Sequence, residues 1–339
     1  MHRRILLSFA CFVLTVCTVL RAQSEENPSL LLDAWPKSEF LEIWGYLSPG
    51  EEKLLESEWP VTDVALFSAS ISSTGKLVGI PDRGPLKSFS GRVHLVVAEV
   101  SNRPLTHFCL SPDYPVRAKL VRDIVEAAKP FDGVQIDFEQ ILDADAEHFA
   151  TFLADIRKGI GKRMLSVALP ARTRRVRDAF DYDRIGPIVD RVIVMAYDEH
   201  WSGSKPGPIA SFAWGVRVAG YALDRLGSEK TVMGMPFYGR AWADANPARA
   251  YRNSTLQTVL AERDNIAYSR QAGIPTASYS QTVNVTVFYE DAQSLADRAR
   301  IYRNLDVLKI GFWKIGQEDR SVWPYLKAVR RPSFSGGSR

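Results

Sequence analysis

Eight short apolar or β-branched runs recur along the chain with amphipathic stretches between them. They are EIWGYL from residue 42, DVALFSA from 63, VHLVVAEV from 93, GVQIDFE from 133, MLSVALP from 164, RVIVMAY from 191, VMGMPFYG from 232 and KIGFWKIG from 309. The intervening stretches carry helical periodicity: Val116, Leu120, Ile124 and Ala128 recur before the fourth run, and Phe149, Phe152, Leu153 and Ile156 after it. Strand and helix alternating eight times predict an α/β protein whose strands close into a parallel (β/α)8 TIM barrel over residues 40–329. Only the seventh connection is too long for one helix. Residues 241–290 hold TLQTVLAERDN, a turn-rich middle and VNVTVFYE, which predicts a small α+β insertion before the helix DAQSLADRARIYRNL.

The ends read differently. HRR precedes an apolar run from Ile5 to Leu20 and then LRAQS, the pattern of a secretory signal over residues 1–22 with cleavage after Ala22. The run is shorter than the roughly 20 residues of a membrane span, so the expectation is export, to a periplasm or the outside, with no integral span left in the mature chain. Lipoprotein anchoring through Cys17 fits less well, because Val16 is a poor residue before a lipidated cysteine. Residues 23–39 form a polar, proline-punctuated lead-in, and residues 330–339 a basic Gly/Ser tail expected to be disordered.

Charge and cysteine content narrow the function classes. Loss of residues 1–22 removes Arg3, Arg4 and Arg21 and leaves a net charge of about +1, without the field that gathers nucleic acid or an anionic membrane. Cys109 is then the single cysteine, expected buried and inert, and neither a disulfide nor a thiolate metal cluster can form within the chain. The five histidines are scattered, and no phosphate-binding glycine loop is present, so no metal or cofactor is expected.

The fourth strand is the exception to an apolar barrel. In FDGVQIDFEQ, residues 131–140, Val134, Ile136 and Phe138 share one face, while Gln135, Asp137 and Glu139 share the other. In a barrel the second face points inward and the C-terminal strand ends carry the chemistry, which puts Glu139 nearest the mouth. Two carboxylates close together in a low-dielectric wall do not both ionise cheaply, so one is expected to hold its proton at neutral pH and to serve as a general acid.

This segment resembles the strand-four signature of glycoside hydrolase family 18, the chitinase-like barrels, whose pattern is D-x-x-D-x-D-x-E. Asp132, Asp137 and Glu139 match, and Gln135 stands in place of the middle acid. VMAYD at 194–198, GMPFYGR at 234–240, GFWKIGQED from 311 and WGYL with Tyr46 resemble further family segments on strands six, seven, eight and one. The amide at 135 and the segment MAYDEHWSGSKPGPIAS look closest to the branch of spore-cortex and peptidoglycan N-acetylglucosaminidases.

The resemblance implies hydrolysis of a β-1,4 bond next to N-acetylglucosamine, with retention and with the substrate's acetamido oxygen as nucleophile. By the same carry-over Glu139 protonates the leaving oxygen, Asp137 orients the acetamide, and Tyr197 hydrogen-bonds it. Asp198 supports the distorted sugar and Trp313 is its stacking floor, while Met195 and Tyr46 pack around the acidic pair. Tyr238 and Arg240 either bind substrate or merely shape the backbone, and Gln135 and Asp132 are supporting residues. The implied partner is an N-acetylglucosamine-containing glycan. A sugar-binding protein that has lost catalysis is the alternative, and the acid at Glu139 favours an enzyme.

Three departures from the family carry expectations of their own. Gln135 is expected to hydrogen-bond Asp137 without taking up its proton, giving Asp137 a lower pKa than an acid at 135 would and a changed pH profile. Glu99, where the family's strand three has S-x-G-G, fits either an acid supporting the site or an ion-pair partner. His200 and Trp201, after Asp198, are candidates for the cleft wall.

Overall fold

The computed structural model describes residues 36–244, 253–271 and 274–329. The expected signal over 1–22, most of the lead-in and the tail lie outside these residues. All eight apolar runs are strands: β1 Glu42–Leu47, β2 Asp63–Ile71, β3 Arg92–Glu99, β4 Gly133–Phe138, β5 Met164–Pro170, β6 Arg191–Met195, β7 Thr231–Pro236 and β8 Lys309–Trp313. Each pairs in parallel with its neighbours in sequence, and β8 pairs with β1 through Gly311 opposite Trp44, which closes the barrel.

The outer layer is α1 Arg103–Leu110, α2 Pro115–Ala127, α3 Ala146–Gly159, α4 Tyr182–Ile185, α5 Phe212–Leu226 and α7 Ala292–Asn304, while α6 Asn253–Ala261 belongs to the insertion after β7. Leu120, Ile124, Phe149, Phe152, Leu153 and Ile156 are buried against the outward strand residues Val134, Ile136 and Phe138, as helical spacing predicts. Asp291 begins α7 with a capping box closed by Ser294.

The eightfold alternation is incomplete in its helices. Between β1 and β2 lies only the 3-10 turn Glu52–Leu54, and between β2 and β3 the short strand Leu77–Val78 and the 3-10 turn Gly84–Leu86. Pro49, Gly50 and Pro60 break the first connection, and Gly75, Gly79, Pro81, Gly84 and Pro85 the second. The lead-in also contributes more than expected. Ser38–Phe40 forms a strand parallel to Leu326–Ala328, tying the two ends of the barrel together. The insertion is mixed as predicted: Arg240–Ala243 pairs with Val285–Phe288, α6 follows, and the turn-rich middle is the hairpin of Ala267–Gln271 with Ile274–Ser278. Among the described residues no helix is long and apolar enough to cross a membrane.

Inside the barrel an apolar layer of Trp44, Tyr46, Ala65, Val96, Ile193 and Val232 separates two polar ends. At the N-terminal end, Arg191 makes a two-pronged contact with Glu42 at 2.6 and 2.9 Å. Arg92 reaches Glu42 at 3.0 Å and Asp63 at 2.6 and 2.9 Å. His94 meets Asp63 at 2.8 Å and stacks on Trp44, whose indole N–H donates to Glu42 at 3.0 Å. Burial alone would raise the Glu42 and Asp63 carboxyls. The hydrogen bonds and charges of their partners outweigh it and hold both below their ordinary values.

Removing one partner leaves a buried charge uncompensated. Arg191→Met is therefore expected to cost about 2–4 kcal/mol in chemical unfolding at pH 7. Because the two carboxyls titrate lower in the fold than in the unfolded chain, their contribution is complete above about pH 4.5 and fades as the pH falls further. Arg191→Met should lose less stability than the parent over that acid range.

Candidate active site

β4 brings the acidic face to the mouth. Gln135 is fully buried, Asp137 is 5% exposed, and Glu139, one residue past the strand end, opens to solvent. The gradient follows from strand geometry, since each two-residue step climbs the inner wall by about 6.6 Å.

Burial first, and the Glu139 charge second, push the Asp137 carboxyl up to about 7. The Glu139 carboxyl is raised as well, by burial and then by Asp198. Asp137 Oδ1 is buried without a hydrogen-bond partner in the protein. This corrects one expectation about Gln135: its amide nitrogen donates to the Tyr46 hydroxyl at 2.6 Å instead of to Asp137. Asp137 itself lies above the ordinary carboxylate range because desolvation dominates. A second acid at 135 would add repulsion where the amide adds none. Gln135→Asp is thus expected to move the titration assigned to Asp137 to higher pH, read as a displaced limb of the pH–rate profile. An unaltered profile would count against any coupling between 135 and the site.

β6 and β7 supply the opposite wall. Asp198 follows β6 with a left-handed backbone, φ 58°, a conformation that aspartate tolerates better than most residues. Its Oδ1 accepts from the Tyr238 hydroxyl at 2.6 Å and from Arg240 Nη2 and Nε at 2.7 and 3.2 Å. Tyr238 and Arg240 therefore do more than shape a turn: they hold Asp198 by one oxygen and leave the other available. Tyr197 packs edge-on to Tyr238 with ring centres 6.3 Å apart. Its approach requires Gly234, where a Cβ would sit 3.0 Å from the Tyr197 ring and 2.7 Å from the Val194 carbonyl oxygen. Burial raises the Tyr197 hydroxyl well above its usual range, so it stays a donor.

Trp313 ends β8 and is braced by Phe67 at 4.8 Å, nearly perpendicular, and by Tyr46 at 5.2 Å. Lys314, after it, reaches Ser48 at 3.0 Å and Glu51 at 2.7 Å, which ties the Trp313 segment to the loop after β1. These elements enclose a cleft of about 520 Å³ lined by Asp137, Glu139, Met195, Tyr197, Asp198, Tyr238, Arg240 and Trp313. Phe67, Val100 and Gln317 also line it. Phe67 and Val100 lie outside the segments that resemble the family, and Gln317 lies within one that implies no role for it. Phe67 alone carried a signal, as an aromatic residue on the inward side of its strand.

Other candidates fall outside the cleft. Asp132 sits at the opposite end of β4, accepting from the Val93 backbone N–H at 2.9 Å and from Arg83 at 3.0 Å, so its support is for the strand pairing. Glu99 fits neither of its two readings: its carboxylate accepts from the backbone N–H groups of Ser101 and Asn102 at 3.1 and 2.8 Å and fastens the turn into α1. His200 is bonded to the Pro208 carbonyl at 2.9 Å, and Trp201 stands 55% exposed on the loop surface. Cys109 is buried and unpaired.

The sequence profile of the glycosyl hydrolases family 18 matches residues 115–318, from α2 through β8. The chain belongs to this family. Its curated relatives include the putative sporulation-specific glycosylase YdhD of Bacillus subtilis, 31% identical over 214 residues, which are 59% of this chain and 51% of that protein. The cortical fragment-lytic enzyme of the same organism is 28% identical over 290 residues, 78% of this chain and 67% of that one. The chain thus spans about half to two thirds of these relatives' lengths. Among solved structures, the Bacillus cereus spore cortex-lytic enzyme SleL superposes with a TM-score of 0.68 at 22% identity, covering 87% of this chain and 76% of that one. The closed barrel is the fold the chain shares with these proteins.

Proposed function

We propose that this family 18 protein is an exported glycoside hydrolase that cleaves β-1,4 bonds next to N-acetylglucosamine in peptidoglycan-type glycan or chitin oligomers, with the substrate's own acetamide as nucleophile. The observation that carries the reading is the contrast along β4. Glu139 is open to the cleft with a raised carboxyl, and Asp137 lies buried below it with one oxygen that no protein group satisfies. A substrate acetamide N–H is a fitting partner for that oxygen, and the negative charge Asp137 takes on offsets the positive charge that develops on the cyclising acetamide.

The remaining roles follow from chemistry. Glu139 gives its proton to the departing glycosidic oxygen and then takes one from water attacking the cyclic intermediate. Tyr197, held protonated, donates to the acetamide oxygen and keeps it directed at the anomeric carbon. Trp313 offers the apolar face on which sugar C–H groups pack, and Asp198 the polar rim.

The test uses the chain without residues 1–22, incubated with N-acetylglucosamine oligomers and with purified peptidoglycan fragments. Released reducing ends and their masses identify the bond and the substrate. Binding without release would favour a sugar-binding protein. Release of new ends whose masses place the cut away from N-acetylglucosamine would overturn the reading. Export itself is tested by the mass of the protein recovered outside the cytoplasm, which should begin at residue 23.

A further inference from the structure

Behind the wall that carries Asp198 lies a buried arginine that the mechanism above does not use. Arg298, on α7, is 2% exposed. Its Nη2 donates to the Ala210 carbonyl at 2.6 Å and to Glu290 Oε1 at 2.7 Å, and its guanidinium lies 5.2 Å from the centre of the Phe212 ring. Its Nε is buried with no hydrogen-bond partner among the described residues. α5 packs this close because residue 215 is glycine: a Cβ there would sit 3.0 Å from the Tyr302 hydroxyl and 3.6 Å from Arg298 Nη1.

Both acceptors belong to segments that lead to Asp198. Ala210 stands at the far end of the connection that Asp198 begins, and the two ends of that connection are pinned together. The Glu199 N–H donates to the Ile209 carbonyl at 2.8 Å, and the Glu199 carboxylate accepts from the Ser211 N–H at 2.6 Å. Glu290 follows the strand by which the insertion returns. That strand pairs Phe288 with Arg240 and approaches closely at Gly239, where a Cβ would lie 2.6 Å from the Phe288 carbonyl oxygen. Arg240 then holds Asp198 Oδ1. A circuit therefore runs from Asp198 through Glu199 and Ala210 to Arg298, and back through Glu290 and Arg240 to Asp198.

A buried ion pair is a poor way to add stability, because desolvation takes back most of the attraction. Arg298 and Glu290 are such a pair, with side chains 3% and 7% exposed, and one donor of the guanidinium goes unused. What the pair supplies is a fixed distance between two segments. We infer that Arg298 is a positioning residue for the reaction: it sets the connection after β6 against the return of the insertion, and so places Asp198 at the cleft wall relative to Tyr238 and Arg240. The inference rests on the reading of Asp198 as the polar rim that supports the sugar. Displacing such a group by about 1 Å is enough to lower turnover by about 10²-fold.

The test is a double-mutant cycle on the N-acetylglucosamine oligomers and peptidoglycan fragments of the function test. Arg298→Met and Arg298→Lys are each made alone and together with Asp198→Asn, and rates are expressed per folded molecule, from chemical unfolding of each variant. Arg298→Met is expected to lower kcat about 10- to 100-fold with KM changed by less than about threefold. Arg298→Lys keeps the charge and a donor, and should restore most of that loss. In the Asp198→Asn background Arg298→Met should cost less than about twofold more, because the group it places is already impaired. If Arg298→Met does not fold, Glu290→Gln, which keeps the shape and an acceptor oxygen, enters the same cycle with an expected loss of about three- to tenfold. Equal losses in the two backgrounds, or full kcat in the single variant, overturn the inference and leave glycan cleavage standing. Parent activity in Asp198→Asn removes Asp198 from the mechanism and the inference with it. Cleavage of neither substrate by the parent overturns the proposed function and the inference together.

Discussion

Glu139→Gln is expected to lower turnover by about 10²- to 10⁴-fold, the usual size of a lost general acid, with little change in substrate affinity. The amide keeps the shape and a hydrogen-bond donor but has no proton to give to a leaving sugar oxygen. Because Glu139 is open to solvent and its side chain makes no hydrogen bond or ion pair among the described residues, folding should be preserved, so the loss is chemical. A glycoside whose leaving group departs without protonation, such as a nitrophenyl sugar, should recover much of the first step. Slow hydrolysis of all substrates alike would instead point to a defect in water activation. Retention of full activity on natural glycan would remove Glu139 from the mechanism.

Asp137→Asn is expected to do two opposite things. Activity should fall by about 10²- to 10³-fold, because a neutral amide cannot offset the charge that forms on the acetamide. Stability should rise, and only above the pH at which the unfolded carboxyl ionises. The Asp137 carboxyl titrates at about 7 in the fold, against an unfolded value near 4. Its protonated form therefore favours the fold at low pH, and that contribution is lost as the pH rises through 7. Asparagine has nothing to lose over the same range. Above about pH 8 the variant should exceed the parent by on the order of 2–4 kcal/mol in chemical unfolding, with the gap closing near pH 4. A difference that does not vary with pH would mean that Asp137 ionises freely in the folded protein. On the proposed mechanism, the buried Asp137 carboxyl is a case of stability given up for function.

The eight strands were legible because each is a compact apolar run, and the β4 face because a period of two sorts its acids from its apolar residues. What escaped the sequence depended on contacts between distant segments. Gln135 and Tyr46 are 89 positions apart, and nothing local says that the amide prefers the phenol to the neighbouring Asp137. The rise of the Asp137 carboxyl is set chiefly by desolvation, which is a property of the assembled wall. Phe67, Val100 and Gln317 look like ordinary strand-end and loop residues until three connections converge on them. The helix-free first two connections were written in the chain as clustered Pro and Gly, but the regular eightfold rhythm outweighed that local signal. Glu99 illustrates the reverse, an acid at a position of interest that the fold uses to fasten a turn.

The two arginines and two carboxylates at the closed end of the barrel balance one another. Seen from the mouth across the layer of Trp44, Val96 and Ile193, that end is electrically quiet: the shift at Asp137 arises from burial and Glu139 alone. Acid tolerance and working pH thus reside at opposite poles of one molecule, insulated from each other. Substitutions at one pole could be screened for survival in acid, and at the other for a displaced optimum, and then combined with the expectation that their effects simply add.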